Sequence, residues 1–130
     1  NERVRSNFQV ILLPNLYGDI ITDEAAQIQG GVGTAGSANI GDVYAMFEAI
    51  YGSAPRMIET GRGAYANPTS MFKATEMLLR HIGFTEKADK LNKALHICTE
   101  VDKKYVITGH EDGATCSQFG DYLMATIEQL

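Results

Sequence analysis

Apolar helical faces outnumber strands in this sequence, and that imbalance limits the fold more than any other feature. Asn67-Pro68 predicts a helix start, with Asn as N-cap and Pro in the first turn. Met71, Leu78 and Ile82 follow on one face, and Gly83 ends the stretch. Thr85 can cap the next helix, in which Ala88, Leu91, Leu95, Cys98 and Val101 keep a 3.6-residue period. Lys103 and Lys104 lie at its C-terminal end, where the helix dipole favours cations. Thr115-Cys-Ser-Gln118 matches a capping box ahead of a last helix with Phe119, Tyr122, Leu123 and Ile127 on its apolar face.

Fewer segments read as strands. Phe8-Gln-Val-Ile-Leu-Leu13 is a short apolar run that predicts a buried strand ending at Pro14-Asn15. Asp19 to Gln29 predicts a helix, with Ala25, Ala26 and Ile28 suited to burial and Gly30-Gly31 as its end. Residues 30 to 41 predict a loop of Gly, Ala, Ser and Thr, small enough for backbone to approach backbone or a ligand. Ala45 to Ile50 predicts a second strand, residues 56 to 66 a loop, and Tyr105 to Thr108 a short strand or extended segment. A sheet of two or three strands is a small base for this many helices. The chain therefore either pairs with another polypeptide or is one portion of a larger α/β protein.

Composition removes several function classes. Eleven basic and sixteen acidic residues give a net charge of -5 with no basic stripe, which argues against nucleic acid as a partner. No apolar run is long enough to cross a membrane. The start, Asn1-Glu-Arg-Val-Arg, has no apolar stretch of the signal-peptide kind. Cys98 and Cys116 are too few and too far apart for a disulfide framework and read as reduced thiols of a cytosolic-type protein.

Two local patterns carry candidate chemistry. Asp19 and Asp23 lie four residues apart, so in a helix starting near Asp19 both carboxylates share one face of the first turn. Two hard oxygen ligands there can hold Mg²⁺ or Mn²⁺, with water and substrate completing the octahedron. Acids of a first turn also complement the helix dipole without any ligand. Spacing alone leaves both readings open. Gly31-Val-Gly33-Thr-Ala-Gly36 fits G-x-G-x-x-G, but a dinucleotide fingerprint must follow a strand and open a helix, and this one follows a helix. His81, His96 and His110 are scattered and suit surface or capping roles.

Several segments in order resemble one family. Asn15-Leu-Tyr-Gly-Asp19-Ile-Ile-Thr-Asp23 is similar to the signature of the metal-dependent β-decarboxylating dehydrogenases, the isocitrate/isopropylmalate dehydrogenase family. So are the continuation through Gly30-Gly31 to Ala38-Asn39-Ile-Gly41, the run Phe47-Glu-Ala-Ile-Tyr51-Gly-Ser-Ala-Pro55, Ala66-Asn67-Pro68, Met77-Leu-Leu-Arg80-His and Asp112-Gly-Ala-Thr-Cys-Ser-Gln-Phe119. The likeness covers nearly the whole chain.

The resemblance implies an α/β fold, the C-terminal part of an isopropylmalate-dehydrogenase-like protein. Residues 1–44 would end the small domain, which carries dimerisation and metal-site elements. Residues 45–130 would return to the large nucleotide-binding domain. The implied reaction oxidises a 2-hydroxy acid and then removes its β-carboxylate. Isocitrate stands first, which would place the protein in the tricarboxylic acid cycle. Isopropylmalate, homoisocitrate and tartrate-type substrates are the rivals. By motif position Asp19 and Asp23 match two of the family's metal-site aspartates, with Mg²⁺ or Mn²⁺ as the ion. The loop Tyr51, Gly52, Ser53, Ala54 would take the adenosine end of NAD or NADP, and Asn67 would meet the adenine.

Four departures from the family pattern matter. Tyr51 stands where the family usually has His; both rings stack on adenine, but tyrosine cannot become cationic at neutral pH. Arg56 follows Pro55, where a base suits the 2′-phosphate of NADP and an acid suits NAD; the segment Ile107 to His110 lacks the further cation that NADP-specific isocitrate enzymes carry, with only His110 nearby. The loop from Met57 to Tyr65 is also longer than usual. Finally, the family's substrate-gripping arginines, its proton-transfer Tyr and Lys and a further metal-site Asp lie N-terminal to the matching stretch. No catalytic residue is therefore assigned to this chain, and alone it is expected not to turn over substrate. The implied setting is a cytoplasmic or mitochondrial-matrix homodimer, or pairing with the missing N-terminal portion. The alternative is a non-catalytic, truncated or regulatory subunit that binds nucleotide or metal.

Overall fold

The computed structural model describes residues 10–130. Helix α1 covers Asn15–Gln29, strand β1 Gly36–Ile40 and strand β2 Ala45–Ala49. A short helix α2, Pro55–Glu59, precedes the three longer helices α3 (Thr69–His81), α4 (Thr85–His96) and α5 (Cys116–Gln129). Single 3-10 turns at Val32–Thr34 and Gly63–Tyr65 lie between these elements. The α/β class expected from the sequence holds.

The two strands pair antiparallel, Gly36 opposite Ala49 and Ile40 opposite Ala45. Residues 30–41 were expected to be a loop, but their second half is β1. The cause lies in α3. A Cβ on Gly36 would sit 2.7 Å from the Ala74 backbone nitrogen, so glycine lets the strand lie against the helix. Ser70 fixes the same seam. Its buried hydroxyl donates to the Ala35 carbonyl and accepts the Ile50 N–H at 2.7 Å, joining the entry to β1 and the exit from β2 to one helix turn. Gly36 of the G-x-G-x-x-G pattern is thus explained by packing.

Helix α1 begins four residues earlier than expected. Pro14 ends the extended lead-in, and its carbonyl accepts the first helical bond from Gly18 N–H at 2.8 Å. Asp19 and Asp23 therefore sit beyond the first turn, which contains no acid. Of Ala25, Ala26 and Ile28, Ala26 alone is buried and Ile28 is 91% exposed. The expected strand over Phe8–Leu13 falls partly outside the described residues. Val10–Leu13 form no strand, and Val10, Ile11 and Leu12 are exposed. A strand needs a neighbour for its backbone groups, and among the described residues the only sheet is the β1–β2 pair.

The main core lies where α3, α4 and α5 meet. Leu91, Ala94, Leu95, Cys98, Phe119 and Leu123 are buried together, flanked by Phe72, Leu79, Tyr105 and Ile107. The periods read for α4 and α5 point to this core, but Met71, Leu78 and Ile82 of α3 face outward, because that helix buries Thr69, Ser70 and Ala74 against the hairpin. Val101 leaves the α4 stripe because Ile97–Val101 forms a wider turn, closed by Asp102 N–H to Ile97 carbonyl at 2.9 Å. Thr85 does not cap α4; Phe84 occupies the N-cap position. Tyr105–Thr108 forms no strand: Tyr105 is a bend, and the Val106 carbonyl accepts the Ala114 N–H at 2.8 Å. The capping box at Thr115 and Gln118 forms as expected. Residues 56–66 contain α2 and a 3-10 turn rather than only loop.

Two predictions follow from this packing. Ser70→Ala strands the Ile50 N–H and the Ala35 carbonyl, and should lower stability by about 1–3 kcal/mol in urea denaturation. Tyr122 donates to Asp102 Oδ2 at 2.8 Å. Burial, then the hydrogen bond and charge of Asp102, push its phenol up to about 12. A raised folded-state pKa gives stability that is fully present below the ordinary value near 10 and is lost as pH rises towards 12. Denaturation midpoints should therefore fall between pH 10 and 12, and the Tyr122→Phe protein should show a shallower fall over that window.

Candidate functional site

Two hollows flank the hairpin's exit, and Tyr51 lines both. The first, about 340 Å³, lies between α1 and the hairpin and is lined by Asp19, Thr22, Asp23, Ser37, Glu48 and Tyr51 among others. The i,i+4 spacing aims Asp19 and Asp23 into the same space. Thr22, between them, donates its hydroxyl proton back to the Gly18 carbonyl at 2.7 Å. Across the hollow, Glu48 accepts from Asn39 Nδ2 at 3.0 Å. Among the described residues no three His, Cys, Asp or Glu side chains converge as a complete metal set. Two hard carboxylate donors on one helix face could supply two of the six positions of an octahedral Mg²⁺ or Mn²⁺ shell and would require the rest from elsewhere. With the helix starting at Asn15, dipole complementation in a first turn no longer accounts for these acids.

The second hollow is an apolar groove of about 600 Å³, lined by Tyr51, Gly52, Ala54, Met57, Tyr65, Asn67 and Met71 and also by Gly109 and Cys116. Its parts are held locally. Ala54 adopts a left-handed conformation, φ 42°, at the entry to α2, a strained position for a residue with a Cβ. Asn67 Oδ1 accepts the Thr69 N–H at 3.0 Å, which commits that oxygen to α3 and leaves Nδ2 as the donor the side chain can offer a ligand. The Tyr51 hydroxyl donates to the Asn67 carbonyl. Burial raises the Tyr51 phenol above its ordinary value, opposed by a backbone hydrogen bond at Met71 and aided by Cys116, so the ring stays neutral at pH 7.

The structure brings Asp19, Asp23 and Tyr51 to one hollow, and Tyr51, Gly52, Ala54 and Asn67 to the other. Ser53 and Arg56 are exposed and stand outside the lining of the groove. Sequence reasoning missed Met57 and Tyr65 as wall residues, because the segment from 56 to 66 gave no periodic signal, and it read Met71 as part of an apolar helix face rather than as groove wall. It also missed Arg62, whose partners at residues 109 and 110 are 47 and 48 positions away. His81 sits at the end of α3 with its ring 5.3 Å from that of Phe47, a packing role.

A profile described as "Isocitrate/isopropylmalate dehydrogenase" matches residues 3–123. The chain belongs to the isocitrate/isopropylmalate dehydrogenase family. It is similar to the NADP isocitrate dehydrogenase of Rickettsia typhi, 53% identical over 87 residues that cover 67% of this chain and 17% of that protein. It is also similar to subunit 2 of the mitochondrial NAD isocitrate dehydrogenase of Kluyveromyces lactis, 39% identical over 122 residues, 93% of this chain and 32% of that protein. The crystal structure of isocitrate dehydrogenase from Methylococcus capsulatus superposes with a TM-score of 0.77 at 34% identity, covering 88% of this chain and 33% of that one. The chain thus spans from 17% to 33% of the length of these relatives. The family resemblance read from the Asn15–Asp23 signature and the segments after it stands. Among the described residues of this family member, no helix is long and apolar enough to cross a membrane.

Proposed function

We propose that this chain forms the nucleotide-binding and metal-holding portion of an NAD(P)-dependent oxidative decarboxylase of a 2-hydroxy acid, with isocitrate as the first substrate and isopropylmalate and homoisocitrate as rivals. One observation carries this reading: Tyr51 walls both the apolar groove and the acidic hollow. A dinucleotide seated in the groove then lies against the space where a metal would hold the hydroxy acid. Relatives named for isocitrate oxidation with NADP and with NAD support the reaction class.

In this reading Asp19 and Asp23 hold Mg²⁺ or Mn²⁺. Such an ion supplies Lewis acidity to the substrate's hydroxyl and carboxylate oxygens. Tyr51 stacks on the base, the Gly52–Ala54 backbone approaches the ribose and phosphates, and Asn67 Nδ2 donates to the base. Arg56 stands at the rim as an exposed cation suited to a 2′-phosphate, which favours NADP. The groups that grip the substrate carboxylates and move protons belong to the rest of the parent protein.

Residues 1–44 are assigned to the small domain and 45–130 to the large one, joined by the hairpin. Leu16, Tyr17, Ile20 and Ile28 of α1 are exposed, as are Val43 and Tyr44 at the hairpin tip. A homodimer partner, or the remainder of the parent chain, would cover them. The cytoplasm or the mitochondrial matrix suits such a protein. A second reading, a non-catalytic subunit that keeps both hollows, draws on the neutral Tyr51 tied to Asn67. Turnover of isocitrate by the full-length protein distinguishes the two.

In that full-length protein, Asp19→Asn should weaken Mg²⁺-isocitrate binding by about tenfold or more, read by calorimetry. Unchanged binding would remove Asp19 from the metal site. Arg56→Asp should shift the ratio of kcat/KM for NADP over NAD towards NAD by about tenfold. An unmoved ratio would exclude Arg56 from cofactor choice.

A further inference from the structure

One residue outside both hollows joins two segments that line the groove. Arg62 belongs to the segment that follows α2. Its backbone N–H bonds the Met57 carbonyl at 2.9 Å, fixing it to the helix end. Its guanidinium makes three further contacts. Nε donates to Thr60 Oγ1 at 3.0 Å, and one terminal nitrogen reaches the Gly109 carbonyl at 3.3 Å and His110 Nδ1 at 3.2 Å. With arginine as the donor, Nδ1 must accept, which leaves the imidazole proton on Nε2.

Each end of this bridge is itself braced. Thr60 Oγ1 donates to the Arg56 carbonyl at 2.7 Å, so the guanidinium is linked through one hydroxyl to the backbone at the rim cation. On the other side Thr108 Oγ1 donates to Asp112 Oδ1 at 2.6 Å and accepts from His110 N–H at 3.2 Å, while Gly113 N–H closes on the His110 carbonyl at 3.1 Å. The 108–113 turn is therefore a preformed unit. Gly109 is the residue of that turn which lines the groove, with φ 78°. Met57 and Ile58 of α2, the helix to which Arg62 is anchored, line the same groove. A planar fork with several fixed donors can bind three acceptors at once, which an ammonium on a flexible stem cannot do with the same geometry.

We propose that Arg62 is a positioning residue that latches the 54–65 arm to the 108–113 turn and so sets the width of the nucleotide groove. It touches neither the reacting atoms nor the metal hollow. Its effect falls on nucleotide affinity, because a groove whose walls are held in place does not have to be ordered by the ligand. The inference rests on the functional reading above. It adds a residue that reading does not use.

The test is steady-state kinetics and calorimetry on the full-length protein, with NADP and NAD as probes. Arg62→Ala should raise the KM and Kd for the nucleotide about tenfold, while kcat and the KM for isocitrate stay within about twofold. Arg62→Lys keeps the charge without the fork and should give an intermediate nucleotide KM. His110→Ala should raise it less than Arg62→Ala, and the double variant should be no worse than Arg62→Ala alone, since both changes open one latch. A nucleotide KM within about twofold of the unaltered protein in Arg62→Ala overturns the latch, as does a fall in kcat with the nucleotide KM unmoved. If the unaltered protein takes up neither nucleotide, the functional reading itself falls; uptake that is indifferent to Arg62 removes the latch alone.

Discussion

The hydroxyl of Ser70 holds the only sheet among the described residues against α3, and the positions of both hollows depend on that attachment. It accepts from Ile50 N–H, immediately after β2, and donates to Ala35, immediately before β1. The hairpin therefore cannot shift along α3 without breaking a bond at one of its two ends. Gly36 brings the strand to within backbone contact of Ala74, where any side chain would push it away. Ser70 sits three residues after Asn67 and one turn before Ala74, so the same helix end that clamps the hairpin also presents Asn67 to the groove. Tyr51, one residue beyond the clamped Ile50, is carried to the junction of the two hollows by this geometry.

The parts of the fold governed by local chemistry were legible in the sequence. The Thr115–Gln118 box, the stripe Ala88, Leu91, Leu95, Cys98 and the stop at Gly83 depend on residues within a turn or two of each other, and each formed as read. The errors occurred where tertiary contact decided. Residues 36–40 carry no strand signal of their own; they become β1 because Ser70 and Ala74 receive them. Met71, Leu78 and Ile82 form a plausible apolar face, yet α3 turns its small residues inward because a hairpin backbone packs there more closely than side chains allow. Val101 was displaced by one wide turn that no periodicity forecasts.

For the site, the sequence supplied the acids, Tyr51 and Asn67 through a resemblance. Its reading of where the helix began was wrong, and that error mattered. Starting α1 at Asp19 made dipole complementation a sufficient explanation for two acids. Starting it at Asn15, after Pro14, moves both carboxylates past the unsatisfied N–H groups of the first turn. Two exposed carboxylates one turn apart then repel each other mildly, with no helix end to offset it. The cation proposed for this hollow would offset that repulsion, which the helix end does not.

The groove shows a related division of labour. Tyr51 and Asn67, proposed to stack on and donate to the base, are adjacent to the clamped hairpin and α3. Further lining comes from the 56–66 segment, which has no buried residue of its own in α2 or in the following 3-10 turn. An arm without a core must borrow its position from neighbours. Arg62 is where it does so, through a turn of residues 108–113 that hydrogen bonds have already shaped. A segment without a buried residue of its own need not loosen the groove when, as proposed, one arginine ties it to a turn that is already formed.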